Sequence, residues 1–131
     1  MANPNIVAVT NILGGNLGWN LTATATTTLM TVAAEKIVKV NRITVANVDT
    51  SSAANVFLYV DGLTTAGADG ITPTGASATV YLAKEIAVPA DSTLVLVDTP
   101  IYLMEGDILK GGASAASDLD LFISYEVLDD A

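Results

Sequence analysis

Apolar and polar positions alternate most regularly near the end of the chain. Leu119, Leu121, Ile123, Tyr125 and Val127 fall on one face of an extended strand, and Asp118, Asp120, Ser124 and Glu126 on the other. A period of two marks a strand with one face in a core and one mostly in water. Residues 36–48 alternate as well, but with a slip of phase. Val38 and Val40 are apolar at even positions, whereas Ile43 and Val45 are apolar at odd ones. Because side chains repeat every second residue along a strand, the slip predicts a bulge or bend near Asn41-Arg42. Strands that bend this way cross between the sheets of sandwiches and jelly rolls. Residues 56–60 are apolar on both faces, which predicts a central strand covered on both sides.

Gly, Asn, Asp and Pro cut the rest of the chain into short pieces. Residues 6–9 behind Pro4 read as a short strand, residues 11–18 with Gly14-Gly15 as a loop, and residues 21–32 as a long Thr/Ala-rich strand. Residues 49–55 are a polar turn, and residues 62–77 are the longest irregular region, broken by Gly67, Gly70, Pro73 and Gly75. Residues 79–88 and 93–97 read as a hairpin around Ala90-Asp91-Ser92. Residues 101–104 and 108–109 are brief strands about the turn Glu105-Gly106-Asp107, and residues 111–117 a small-residue loop. No window has helical periodicity. The expectation is one all-β domain over residues 1–131, an antiparallel, jelly-roll-like β-sandwich of about eight strands. It carries a short extended N-terminal segment (1–5) and a long loop (62–77).

Composition narrows the classes of function. Apolar residues make up 51% of the chain and charged ones 15%, with a mean hydropathy of +0.53, so the chain is rich enough in apolar residues to build a core. No apolar run approaches the ~20 residues of a membrane-spanning helix. Fourteen acidic and five basic residues give a net charge of −9. That balance argues against nucleic acid and anionic membranes, which are bound through clustered Lys and Arg. The N-terminus has no basic region followed by an apolar stretch, so no signal peptide is expected. Asn20-Leu21-Thr22 fits a glycosylation sequon and reads as a chance match.

Candidate chemistry is sparse. The chain has no Cys and no His, which removes disulfides, the commonest general base and the commonest neutral metal ligand. The carboxylate pairs Asp118/Asp120 and Glu105/Asp107 have no neighbouring His, Cys or aromatic pocket signature and read as a solvated strand face and a turn. Asp61, Asp69, Asp129 and Asp130 lack the dense spacing of a calcium loop. Ser and Thr have no base to activate them, and Gly14-Gly15 and Gly111-Gly112 lack the following Lys of a phosphate loop. No catalytic, cofactor or metal residue is assigned, and the expectation is a protein that is not an enzyme.

The motifs that remain carry a family likeness. The opening Ala2-Asn3-Pro4-Asn5-Ile6-Val7, the strand Val40-Asn41-Arg42-Ile43-Thr44-Val45-Ala46-Asn47, Tyr81-Leu82-Ala83-Lys84 and Ile86-Ala87-Val88-Pro89-Ala90 belong to it. So do Thr93-Leu94-Val95, Ile101-Tyr102-Leu103-Met104-Glu105-Gly106-Asp107 and Ile123-Ser124-Tyr125-Glu126. Together they resemble small virion structural proteins of marine tailed phages, notably cyanophages, over most of the chain outside the 62–77 loop. The resemblance implies a virion component and no enzymatic residue.

With the small size, acidic charge and Ala/Val content, it leads to the expectation of a capsid cement or decoration protein, a trimer seated on the capsid surface. Its partners would be the major capsid protein or other virion proteins. Contacts are expected from Asn3, Pro4 and Asn5 in the N-terminal segment and from Asp69, Ile71 and Pro73 in the long loop. The alternatives are a neck, tail or fibre-associated phage protein and, with only Trp19 and the Tyr residues in its favour, a carbohydrate-binding module.

Overall fold

The alternation that is clearest in the sequence organises the first sheet. In a computed structural model that describes residues 9–65 and 70–129, strand β9 (Leu119–Asp129) buries Leu119, Leu121 and Ile123 and exposes Asp120 and Phe122. It lies between β1 (Asn11–Asn20) and β3 (Lys36–Asn47), antiparallel to both. On its far side β3 pairs with β6 (Thr93–Val97) and β7 (Ile101–Leu103). The second sheet runs β2 (Thr27–Thr31), β8 (Ile108–Ala113), β4 (Ala54–Asp61), β5 (Val80–Val88), again antiparallel throughout.

The described residues thus form nine strands in two antiparallel sheets, with no helix. One core joins the sheets. Val38, Val40, Ile43, Val45, Leu121 and Ile123 from the first pack with Val56, Leu58, Val60, Val88 and Leu109 from the second.

The pairing is nested: β1 with β9, β2 with β8, β3 with β6 and β7, and β4 with β5. The chain therefore behaves as one long hairpin, with β4 and β5 at its tip, folded over into two layers. β5 and β6 meet along one side of the sandwich, which leaves β1 and β2 at the opposite side.

The phase slip in β3 is a bulge. The register against β9 jumps between Val40 and Arg42, so Asn41 is the extra residue and its side chain reaches Glu126 at 3.4 Å. Val38 and Val40 are buried before the bulge; Ile43, Val45 and Asn47 are buried after it. The bulge lets one strand keep its apolar residues on the core through a change of parity. β4 is central as expected, and its Leu58, Tyr59 and Val60 are all buried.

Several expectations need correction. Residues 11–18 are not a loop but most of β1, which pairs with β9 over ten residues without a register shift. Residues 21–32 are not one strand. Leu21 donates its amide to Leu119 in the first sheet, while Thr22 accepts from Ala113 in the second, so the chain changes sheet there. The Thr24 carbonyl then takes the Thr27 amide and hydroxyl and closes a turn before β2. Residues 79–88 and 93–97 do not form a hairpin either. Pro89, Ala90, Asp91 and Ser92 carry the chain between sheets, and β6 pairs with β3. Gly111, Gly112 and Ala113 belong to β8 rather than to a loop.

Candidate functional site

The carboxylates that could have done chemistry are occupied as structural braces. Asp61 at the end of β4 accepts from the Lys110 ammonium at 2.9 Å, the Thr79 hydroxyl at 2.7 Å and the Gly62 amide at 2.9 Å. These bonds, led by the one from Lys110, hold its carboxyl down at about 2. The same group thus latches both ends of the β4–β5 loop to β8.

Asp107 is buried to 2% exposure and accepts the Met104 amide at 2.8 Å, closing the turn between β7 and β8. Burial pushes its carboxyl up, against the Met104 bond that favours the charged form. Glu105 accepts the Glu35 amide, and Asp120 takes the Asn20 side chain at 2.7 Å. Among the described residues no three of His, Cys, Asp and Glu gather in a way that could hold a metal ion.

What the fold presents instead is surface, and the β1–β2 side is its least ordinary part. No charged side chain occurs before Glu35, so β1 and β2 are themselves uncharged in a chain with net charge −9. β1 ends its sheet, and among the described residues no strand pairs with its outer edge. Its residues Leu13 and Leu17 lie opposite Val127 and Ile123, on the core-facing side, yet are 59% and 37% exposed. β2 has only five residues and does not cover them. On the other face Ile12 is bare as well.

The remaining edges carry the devices that discourage strand addition. β2 is short and bulged, β6 is short and flanked by Asp91 and Asp98, and β5 carries Lys84 and a bulge at Glu85, whose φ is 54°. β1 has none of them. It is ten residues long, in continuous register, and free of charge and proline.

A shallow depression opens on the same side over Gly18, between Asn20, Asp120 and Phe122, with Trp19 and Leu121 beneath. It exists because Gly18 offers no side chain beside Phe122, which is 48% exposed. The two polar groups on its rim are bonded to each other.

Of the contact residues expected from the sequence, Ile71 and Pro73 lie exposed in the β4–β5 loop, with Ile71 65% exposed. Asn3, Pro4, Asn5 and Asp69 lie outside the described residues. The loop joins β4 to β5, and β5 is the strand at the other edge of the second sheet from β2. β1 was missed because three glycines in ten residues read as a loop. The uncharged opening stretch was the signal that could have found it. No helix among the described residues is long and apolar enough to cross a membrane. No protein-family model, curated protein or solved structure matches the chain.

Proposed function

We propose that the chain is a structural protein of a tailed-phage particle, a cement or decoration protein that binds the capsid lattice through the major capsid protein. The observation that carries the reading is the division of labour among its side chains. Its buried and bonded carboxylates brace turns and loop ends, whereas Ile12, Leu13, Ile71, Tyr102 and Phe122 stand bare on strands and in a loop, Phe122 on the outer face of the first sheet. A protein whose polar groups serve its own fold and whose apolar groups face outward is suited to subunit contact rather than to chemistry.

The nested strand pairing supports a jelly-roll reading, an architecture used by capsid and lectin domains. The likeness of the Val40-to-Asn47 strand and the closing motifs to virion proteins adds the phage setting. In this reading the β4–β5 loop, with Ile71 and Pro73 at its surface, meets the capsid.

Quantitative gel analysis of purified virions tests the assignment. Hundreds of copies per particle, and binding of the purified chain to empty capsids, are expected. About a dozen copies or fewer would move the protein to the neck, tail or fibre, and absence from virions would end the reading. The depression over Gly18, with exposed Phe122 beside the Asn20–Asp120 pair, favours carbohydrate binding as a second reading, which a glycan array without hits removes.

A further inference from the structure

The bond from the Leu21 amide to the Leu119 carbonyl sets the phase of the whole β1–β9 ladder. In an antiparallel pair the bonded positions alternate. Odd-numbered residues of β1 therefore turn their amides and carbonyls toward β9. Ile12, Gly14, Asn16, Gly18 and Asn20 turn theirs outward, to an edge that no described strand occupies.

We propose that two copies of the chain join through this edge, β1 antiparallel to β1 about Gly15, so that the first sheet continues across a two-fold axis. The strand is self-complementary in that one register. Pairing about Gly15 sets Leu13 of one copy opposite Leu17 of the other, twice, and Gly15 opposite Gly15. These are the non-hydrogen-bonded positions, where facing side chains come closest, so the two half-bare leucines of each copy cover each other. The same register sets Ile12 against Gly18 and Gly14 against Asn16, and these residues carry the outward amides and carbonyls that exchange bonds. Of the other edges, β5 carries Lys84 and Glu85, β6 is flanked by Asp91 and Asp98, and β2 is uncharged but only five residues long and bulged, whereas β1 is long, regular and free of charge.

The pairing does not rest on the phage assignment, and it leaves the β4–β5 loop open for another partner. A single added strand pair is a small interface, so dissociation on dilution is expected.

Sedimentation velocity over a dilution series, with three sets of variants, tests the proposal. The native chain should pass from dimer to monomer on dilution. Asn16→Pro removes only an outward amide, which an edge strand tolerates, and Leu13→Lys places a charge in the facing pair. Both should be monomeric with melting curves close to the native one, and Leu13→Lys decides alone if Asn16→Pro does not fold.

Because the chain has no cysteine, register can be read by cross-linking. A mixture of Leu13→Cys and Leu17→Cys chains should form an intermolecular disulfide. Neither should do so alone, since like positions then lie about 14 Å apart along the strand. A monomer at every concentration, an assembly of any other number, a dimer that survives both variants, or cross-linking of the single variants overturns it.

Discussion

The Cβ that Gly111 lacks would lie 2.3 Å from the carbonyl oxygen of Phe57, on the neighbouring strand. β8 and β4 approach each other so closely here that only a glycine backbone fits between them. Gly111→Ala must push the strands apart at the centre of the second sheet, and we expect a loss of about 3 kcal/mol in chemical denaturation. Gly14 gives the opposite result. A Cβ there meets nothing within 4 Å, so Gly14→Ala should be neutral or stabilise by about 0.5 kcal/mol through reduced chain entropy. Equal losses at the two sites would contradict the geometry.

Asn47 ties three segments from a buried position at the end of β3. Its amide nitrogen donates to the carbonyls of Ser52 and Val88, and its oxygen accepts the Asp49 amide, all at 2.8–2.9 Å. Asn47→Ala should cost about 3 kcal/mol, because it strands buried partners. Asn47→Asp keeps the Asp49 bond but sets a carboxylate against two carbonyls. Its deficit should therefore widen as pH is raised from 3 to 7, a dependence that thermal melts of the alanine variant will not show.

Asp61 predicts acid opening of the loop that follows it. Its carboxyl is held at about 2, below its ordinary 3.8, first by Lys110 and then by Thr79 and the Gly62 amide. A depressed value means stabilisation that is present above pH 3.8 and lost as pH falls through about 2. Residues 62–79 should become more sensitive to pepsin over that interval. Asp61→Asn should raise cleavage there well above the interval and flatten its pH dependence.

Asp107 has the opposite sign. Burial raises its carboxyl, so its contribution is complete below pH 3.8 and fades as pH rises through the raised value. In Asp107→Asn the amide oxygen can still accept from Met104, and the buried charge is gone. We expect that variant to melt several degrees above the native chain at pH 7 and level with it at pH 3. Asp107→Ala, which leaves the Met104 amide unbonded, should lose about 1–2 kcal/mol at pH 3 and less at pH 7, where the native chain carries the cost of its buried charge.

The parts of the fold that were legible in the sequence are those governed by side-chain alternation within one strand. β9 and the change of parity in β3 declare themselves, because burying Ile43 and Val45 after Val40 requires the extra residue Asn41. What could not be read depended on partners distant in the chain. β1 is ordered by β9, about a hundred residues later, and the Tyr125 ring lies over Gly15, in the space where a Cβ would stand. The turn through Pro89 and Ser92 has the composition of a hairpin turn, yet the core decides that its two strands enter different sheets. The candidate surface was illegible for the same reason. Leu13 and Leu17 fall in a stretch that reads as a loop, and their exposure on an edge strand follows only from the pairing with β9 and the shortness of β2.

The position of β9 between β1 and β3 also imposes a timetable on the chain as it is made. Ribosomes release β1 and β3 long before the strand that bridges them. Until Leu119–Asp129 emerges, the edges of β1 and β3 that face it have no native partner. The first sheet can therefore close only once Leu119–Asp129 has been made, and slowly because its pairings are so remote. A chain cut before Leu119 would lose the middle of a sheet.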